Sequence, residues 1–184
     1  MIKVHFLPNT LTAVRFFLTP FCIYFLFSGN IFLSLCLFVL ASITDALDGY
    51  FARKFNVISK LGSFLDPLAD KFLIVSVFIA FYYIYPEIVD IYILSMILFR
   101  DVFVTILRIY MQLKGSTMIT SNLSKIKTTL QMTMVIVVFL NPYFFVSSEV
   151  LYYFMLGTSM LTFYTGAHYL YCNYKELKKM LLNR

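Results

Sequence analysis

The sequence predicts an all-α membrane protein with six transmembrane helices in a single domain over residues 1–184. Three observations support this fold class. The 184-residue chain is 61% hydrophobic, with a mean hydropathy of +0.84, whereas soluble globular proteins are about half apolar. Apolar runs of about 20 residues, the length that crosses ~30 Å of hydrocarbon, recur along the whole chain. The 15 basic residues are confined to alternate connecting segments and the adjoining halves of the helices, which is typical of an oriented membrane protein.

The predicted elements follow from apolar runs and the breaks between them. Residues 1–10 are mixed basic and apolar and suit a segment lying in the membrane interface. Gly29-Asn30 predicts a tight turn, and Pro67 is expected in the first turn of the third span, where its missing N–H does no harm. A basic cytoplasmic tail is expected over 173–184. The six spans are expected at about 11–28, 31–55, 63–85, 88–113, 125–140 and 148–172.

The charges predict the orientation of these spans. If the N-terminus is inside, every Lys and Arg falls in inner segments or inner halves of helices. The outer loops then hold only the acids Glu87, Asp90 and Glu149. By the positive-inside rule, both termini face the cytoplasm and the chain is a multi-pass protein of the cytoplasmic membrane.

Four carboxylates lie at the junction of the second and third spans: Asp45, Asp48, Asp66 and Asp70. A carboxylate near hydrocarbon costs at least ~2.5 kcal/mol on insertion scales, so such residues are usually functional. On helices, acids three or four residues apart share one face. Hard oxygen ligands suit Mg²⁺, Mn²⁺ or Ca²⁺, and four carboxylates could bridge two ions. Helix capping or helix packing would explain any one of these residues, but not all of them together.

Small and basic residues accompany the acids. Gly49, Ala52 and Gly62 leave little side-chain bulk, so a flat base or a diphosphate could approach the backbone closely. Arg53 and Lys54 could neutralise phosphate oxygens. The stretch therefore predicts a cytoplasmic site for two metal ions and a diphosphate.

The pattern of these residues carries a resemblance to a known family. In order along the chain it is Asp45-x-x-Asp48-Gly49-x-x-Ala52-Arg53, eight further residues, then Gly62-x-x-x-Asp66-x-x-x-Asp70. It resembles the signature of the CDP-alcohol phosphatidyltransferase family at every fixed position. The resemblance implies a six-helix fold, two divalent metal ions, and transfer of a phosphatidyl group from a CDP-linked lipid to an alcohol with release of CMP. A homodimer is implied by the resemblance alone.

The same resemblance implies roles for individual residues. Asp45, Asp48 and Asp66 would bind metal, and Asp70 would share in that site and act as the base on the acceptor hydroxyl. The residues that would lie along the cytidine diphosphate are Gly49, Ala52 and Arg53. No side-chain nucleophile is obvious, which favours direct displacement over a covalent intermediate.

Three further stretches are similar to bacterial phosphatidylglycerophosphate synthases within this family. They are residues 8–15 (PNTLTAVR), Arg100-Asp101 followed by Arg108, and residues 124–132 (SKIKTTLQM). The likeness implies that Asn9 and Thr12 lie near the nucleotide end of the CDP-lipid, although a helix cap and a headgroup contact explain this segment almost as well.

Four basic residues indicate what the acceptor carries. Arg100, Arg108, Lys125 and Lys127 fall on the cytoplasmic halves of the fourth and fifth spans. A phosphorylated acceptor needs charge-assisted partners of this kind, whereas choline or ethanolamine would require acids or an aromatic cage. An Arg100–Asp101 ion pair and ordinary snorkelling of the lysines remain open as alternatives.

The predicted function is transfer of a phosphatidyl group from CDP-diacylglycerol to glycerol 3-phosphate in the lipid bilayer, with Mg²⁺ or Mn²⁺ and no nucleic-acid partner. The same chemistry with inositol phosphate, serine or phosphatidylglycerol as acceptor is an alternative. A divalent-cation transporter would carry acids near mid-membrane and on both sides, whereas these gather at the cytoplasmic end. An inactive family member would not need all four aspartates.

Overall fold

The computed structural model describes the backbone of residues 7–55, 60–113 and 122–182. Side chains are described for residues 13–44, 71–111, 113, 127–174 and 178. The regular structure of the described backbone is entirely helical, and this confirms the all-α fold class. The helices are α1 (Leu7–Phe27), α2 (Ile31–Phe55), α3 (Lys60–Ile84), α4 (Ile91–Leu113), α5 (Asn122–Phe144) and α6 (Ser148–Leu182). None of these helices, over its described residues, is both long enough and apolar enough to cross a membrane.

The first three helices follow the predicted spans with two corrections. The bounds of α2 are those predicted. α1 begins at Leu7, inside the segment expected in the interface, because Pro8 is tolerated in the first turn of a helix. α3 begins at Lys60, so Pro67 lies inside the helix rather than in its first turn. The missing N–H of Pro67 therefore removes one backbone hydrogen bond from α3.

Turn and cap residues account for two helix starts. Gly29 has a φ of +79°, a left-handed conformation that glycine adopts without strain. Asn30 then caps α2, since its Oδ1 accepts a hydrogen bond from the N–H of Leu33 at 3.3 Å. Asp90 caps α4 in the same way, with 2.7 Å between its Oδ1 and the N–H of Ile93. This cap explains why α4 starts three residues later than predicted.

The last two helices extend past their predicted ends. α5 continues through Pro142 to Phe144, since a proline near the end of a helix removes only one of its last hydrogen bonds. α6 continues to Leu182 and takes in most of the basic tail expected over 173–184. In both α5 and α6, the run of apolar residues used for the prediction ends before the helix does.

The chain divides into two compact units, Met1–Ile84 and Tyr85–Arg184. In the first unit α1 packs against α2 and α3, and in the second α6 packs against α4 and α5. The core of the first unit includes Cys22, Leu26, Phe38, Ala41, Leu73, Ile74, Val77 and Phe81. The core of the second includes Ile93, Ile97, Val104, Met111, Val135, Val138, Phe139, Leu151 and Met155. The single-domain organisation stays a prediction.

A polar contact joins α1 to α2 in the first unit. The Ser34 Oγ donates a hydrogen bond to the Cys22 carbonyl at 2.7 Å. The Cys22 Sγ lies 3.4 Å from the Ser34 carbonyl oxygen, to which it donates. Both residues are fully buried. Small polar side chains of this kind let two helices approach closely and bond across the contact.

We expect Ser34→Ala to lower the free energy of unfolding by about 1 kcal/mol, because it removes one buried interhelical hydrogen bond. Ser42→Ala is the matched control, since the Ser42 Oγ donates only within α2, to the Phe38 carbonyl at 2.9 Å. Denaturant unfolding of the purified protein would compare the two variants. Equal losses would contradict a role for Ser34 in helix pairing.

Candidate active site

The aspartates of the predicted metal site lie on consecutive helices of the first unit. Asp45 and Asp48 fall in the second half of α2, and Asp66 and Asp70 in the first half of α3. Because both segments are helical, each pair lies on one side of its helix. α2 contacts α3, and α1 packs against both. Both pairs therefore lie on helices, as the metal prediction assumes.

All the predicted site residues of the first unit, together with Lys125, lie outside the described side chains. They are Asn9, Thr12, Asp45, Asp48, Gly49, Ala52, Arg53, Gly62, Asp66, Asp70 and Lys125. Among the described residues, no group of three or more His, Cys, Asp or Glu could hold a metal ion. The metal site thus stays a prediction. Its donor set fits, because four carboxylates supply the hard oxygen atoms that Mg²⁺ and Mn²⁺ prefer.

In the second unit, two predicted acceptor residues are bonded to one buried carboxylate. Arg100 Nη1 donates to Asp101 Oδ1 at 3.0 Å, and Lys127 Nζ donates to the same oxygen at 2.5 Å. The side chains of Asp101 and Lys127 are 0% exposed, and that of Arg100 is 7% exposed. We call these three residues the Asp101 cluster.

The Asp101 cluster carries charges that are stable inside the protein only together. Removing one member of a buried ion pair typically costs 3–5 kcal/mol, because the remaining charge is left buried and uncompensated. Lys127 lies on α5 and Asp101 on α4, so the pair also joins these two helices. Both cations are therefore held in place before any ligand binds.

One ion pair of this cluster was expected as an alternative from the sequence, and the other was not. The Arg100–Asp101 ion pair was an open alternative, whereas the Lys127–Asp101 pair was not expected. A signal was present, since Asp101 is the only acid between Ile91 and Leu113 and a buried acid requires a cationic partner. Nothing in the sequence showed that this partner would be Lys127 on the next helix.

A glycine on α6 makes room for Arg100. A Cβ added to Gly166 would lie 2.8 Å from the Cγ of Arg100, closer than such atoms approach. A cavity of about 170 Å³ adjoins this contact and is lined by Arg100, Gly166 and apolar side chains such as Phe103 and Phe163. The Nε of Arg100 is buried and has no hydrogen-bond partner within the described part of the chain. Arg108, also on α4, is partly buried.

The amino-acid sequence is similar to those of known proteins. The family model for CDP-alcohol phosphatidyltransferase matches residues 5–164. A CDP-diacylglycerol–glycerol-3-phosphate 3-phosphatidyltransferase of Rickettsia felis is 36% identical over 182 residues, which cover 94% of this chain and 96% of the relative. A protein of the same name from Wigglesworthia glossinidia brevipalpis is 32% identical over 184 residues, 93% and 96% of the two chains.

A shorter match comes from an animal. A probable cardiolipin synthase (CMP-forming) of Drosophila melanogaster is 41% identical over 98 residues, 53% of this chain and 30% of the relative. The family match spans most of the chain and contains both aspartate pairs and the Asp101 cluster. The chain therefore belongs to the CDP-alcohol phosphatidyltransferase family of enzymes.

Proposed function

We propose that this enzyme transfers the phosphatidyl group of CDP-diacylglycerol to glycerol 3-phosphate, giving phosphatidylglycerol phosphate and CMP. Family membership supports the donor chemistry. Relatives named for this reaction match nearly the full chain. The Asp101 cluster is the observation that supports glycerol 3-phosphate as the acceptor. It contains two buried cations, which a phosphorylated alcohol requires and an uncharged alcohol does not.

The cations of the Asp101 cluster suit a phosphate group. Asp101 occupies one nitrogen of the Arg100 guanidinium, whereas the Nε–H of Arg100 has no partner among the described residues. A phosphate oxygen would accept a charge-assisted hydrogen bond from that N–H. Lys127, with Arg108 and Lys125, would add positive charge. Amine alcohols such as choline would be repelled by this set.

Phosphatidylglycerol is a second candidate acceptor, because the Drosophila relative is named a probable cardiolipin synthase. That match covers only 30% of the relative, whereas the matches to the Rickettsia felis and Wigglesworthia enzymes each cover 96%. Glycerol 3-phosphate is therefore the better supported acceptor.

In the proposed reaction, the oxygen of the acceptor hydroxyl attacks the phosphorus of the phosphatidyl group. The bond from that phosphorus to CMP breaks, and Asp70 accepts the hydroxyl proton. The metal ligands would be Asp45, Asp48, Asp66 and Asp70. Two bound Mg²⁺ or Mn²⁺ ions would neutralise the negative charge of the diphosphate and stabilise the departing CMP.

The donor lipid would lie along the first unit. The family resemblance implies that its cytidine diphosphate would lie along Gly49, Ala52 and Arg53, with Asn9 and Thr12 near the nucleotide end. Gly62 would leave room for its close approach to the backbone. An apolar groove of about 470 Å³ between α1 and α3 suits an acyl chain, since Ile23, Phe27, Phe72 and Ile79 are among its lining residues.

The enzyme would lie in the cytoplasmic membrane, with six spanning helices, both termini inside and the active site facing the cytoplasm. The distribution of charge supports this orientation, because the predicted outer loops hold only acids. Large apolar side chains exposed on the helices support lipid contact. They include Phe17, Phe21, Tyr24, Phe32, Phe99, Ile106, Phe154 and Phe163.

Asp70→Asn should lower kcat at least ~100-fold, because the amide cannot accept the hydroxyl proton. Binding of CDP-diacylglycerol should largely remain. CMP release and equilibrium binding of the CDP-lipid would be measured with the purified protein. Glu149→Gln, in the first turn of α6, is the control. An active Asp70→Asn variant would exclude Asp70 as the base.

Lys127→Ala should raise the KM for glycerol 3-phosphate about tenfold or more, and that for CDP-diacylglycerol much less. The change also leaves Asp101 with one fewer partner, so the protein should be less stable. Lys127→Met fills most of the space of the lysine and keeps the Arg100–Asp101 pair, so this variant should fold while keeping the defect. Exposed Lys178, changed to Ala, is the control. Equal increases in both KM values would refute the acceptor assignment.

Removal of divalent cations should abolish CMP release, because the four aspartates would otherwise repel one another and the diphosphate. Assays after treatment with EDTA, followed by addition of Mg²⁺ or Mn²⁺, would test this. Restoration of turnover is the expected result, and full activity in strictly chelated buffer would refute the metal site.

A further inference from the structure

Gln131 lies on α5 with a buried carboxamide that lacks partners. The residue is 1% exposed, and neither its Oε1 nor its Nε2 has a hydrogen-bond partner among the described residues. A buried polar group left unsatisfied costs about 1–3 kcal/mol, and native proteins contain few of them. Exchanging the oxygen and nitrogen would not help, because both ends are unpartnered. The side chain is thus suited to a group that the described protein does not supply.

The position of Gln131 on α5 points to the acceptor site. Lys127 of the Asp101 cluster lies four residues earlier on the same side of the helix, about 6 Å away along the axis. Both residues are buried. Beyond Gln131, the buried residues of α5 are apolar, namely Met134, Val135, Val138 and Phe139. Gln131 is therefore the last polar group between the cations and the apolar core on this side of α5.

The hydrogen-bonding groups of the carboxamide restrict which ligands Gln131 could bind. Gln131 offers one acceptor oxygen and two donor hydrogens, so a matching ligand carries both a hydrogen-bond donor and an acceptor. A polyol phosphate carries both. In glycerol 3-phosphate one hydroxyl attacks the donor lipid, and the hydroxyl on the central carbon does not react.

We propose that Gln131 is a specificity-determining residue for the acceptor. Its Oε1 accepts a hydrogen bond from the central hydroxyl of glycerol 3-phosphate, and its Nε2–H donates to an oxygen of the acceptor phosphate. The inference rests on the proposed function. The edge of the cytosine base also presents donors and acceptors, but it carries no charge. The Lys127 cation one turn away favours the phosphorylated ligand.

The test compares two acceptors in wild-type enzyme and in Gln131→Met, at saturating CDP-diacylglycerol. 3-Hydroxypropyl phosphate keeps the attacking hydroxyl and the phosphate of glycerol 3-phosphate and lacks only the central hydroxyl. Wild-type enzyme should prefer glycerol 3-phosphate by about 10- to 100-fold in kcat/KM. Gln131→Met keeps the volume but removes both polar atoms, so the preference should fall by about tenfold or more.

A readout without substrate accompanies the kinetics. Unliganded Gln131→Met should unfold at the same or a higher temperature than wild type, because the change removes a buried polar group without partners. Thr133→Val on the exposed side of α5 is the matched control. The Thr133 Oγ1 donates only to the Thr129 carbonyl at 2.9 Å, so the acceptor preference of this variant should match that of wild type.

Three outcomes would overturn the inference. The first is a ratio near one, in wild-type enzyme, between the kcat/KM for glycerol 3-phosphate and that for 3-hydroxypropyl phosphate. The second is an equal loss of activity with both acceptors in Gln131→Met, complete loss included, which would indicate a purely structural amide. The third is a higher KM for CDP-diacylglycerol with an unchanged acceptor preference, which would assign Gln131 to the nucleotide. Absence of CMP release from wild-type enzyme with glycerol 3-phosphate would instead refute the proposed function, and it is recognised without any variant.

Discussion

A charge buried in an apolar helical bundle needs a partner of opposite sign, and in the second unit Asp101 meets this requirement. Its Oδ1 accepts hydrogen bonds from Arg100 and Lys127, which lie on different helices. One carboxylate thus joins α4 to α5 and holds two cations in place. Because these cations are already positioned, less ordering would be needed if the proposed acceptor phosphate binds there. Gly166 contributes by leaving room for the Arg100 side chain against α6.

The described polar contact between α1 and α2 in the first unit is made by hydrogen bonds. Ser34 and Cys22 bond across α1 and α2, and α1 also packs against α3. Both helices that carry the aspartate pairs are therefore supported by the same neighbour. A metal site built on two helices depends on such support, because small displacements of the ligands would weaken binding. The packing of α1 is thus part of what the proposed chemistry requires.

The proposed recognition of the acceptor depends on the same requirement that buried polar and charged groups have partners. The cluster supplies positive charge for a phosphate, but charge alone does not distinguish one phosphorylated alcohol from another. Discrimination requires a polar group that loses a hydrogen bond when the wrong ligand binds. Gln131, buried one turn beyond Lys127, is the described residue of α5 that has this property. In the proposed site, charge would supply affinity for the acceptor and the Gln131 carboxamide would supply selectivity, from neighbouring turns of one helix.

Local patterns along the chain were enough to predict six helices, the bounds of α2 and the family, whereas the metal site of the four aspartates stays a prediction. Run length and motif spacing depend only on residues close in sequence, so they are readable without coordinates. The starts of α1 and α3 and the end of α6 were missed, because helices there continue into polar residues that the apolar pattern does not mark. The pairing of Lys127 with Asp101, 26 residues apart, and the isolation of the Gln131 carboxamide could not be predicted. Both depend on which faces of the helices meet, and the packing of side chains that are distant in sequence sets that arrangement.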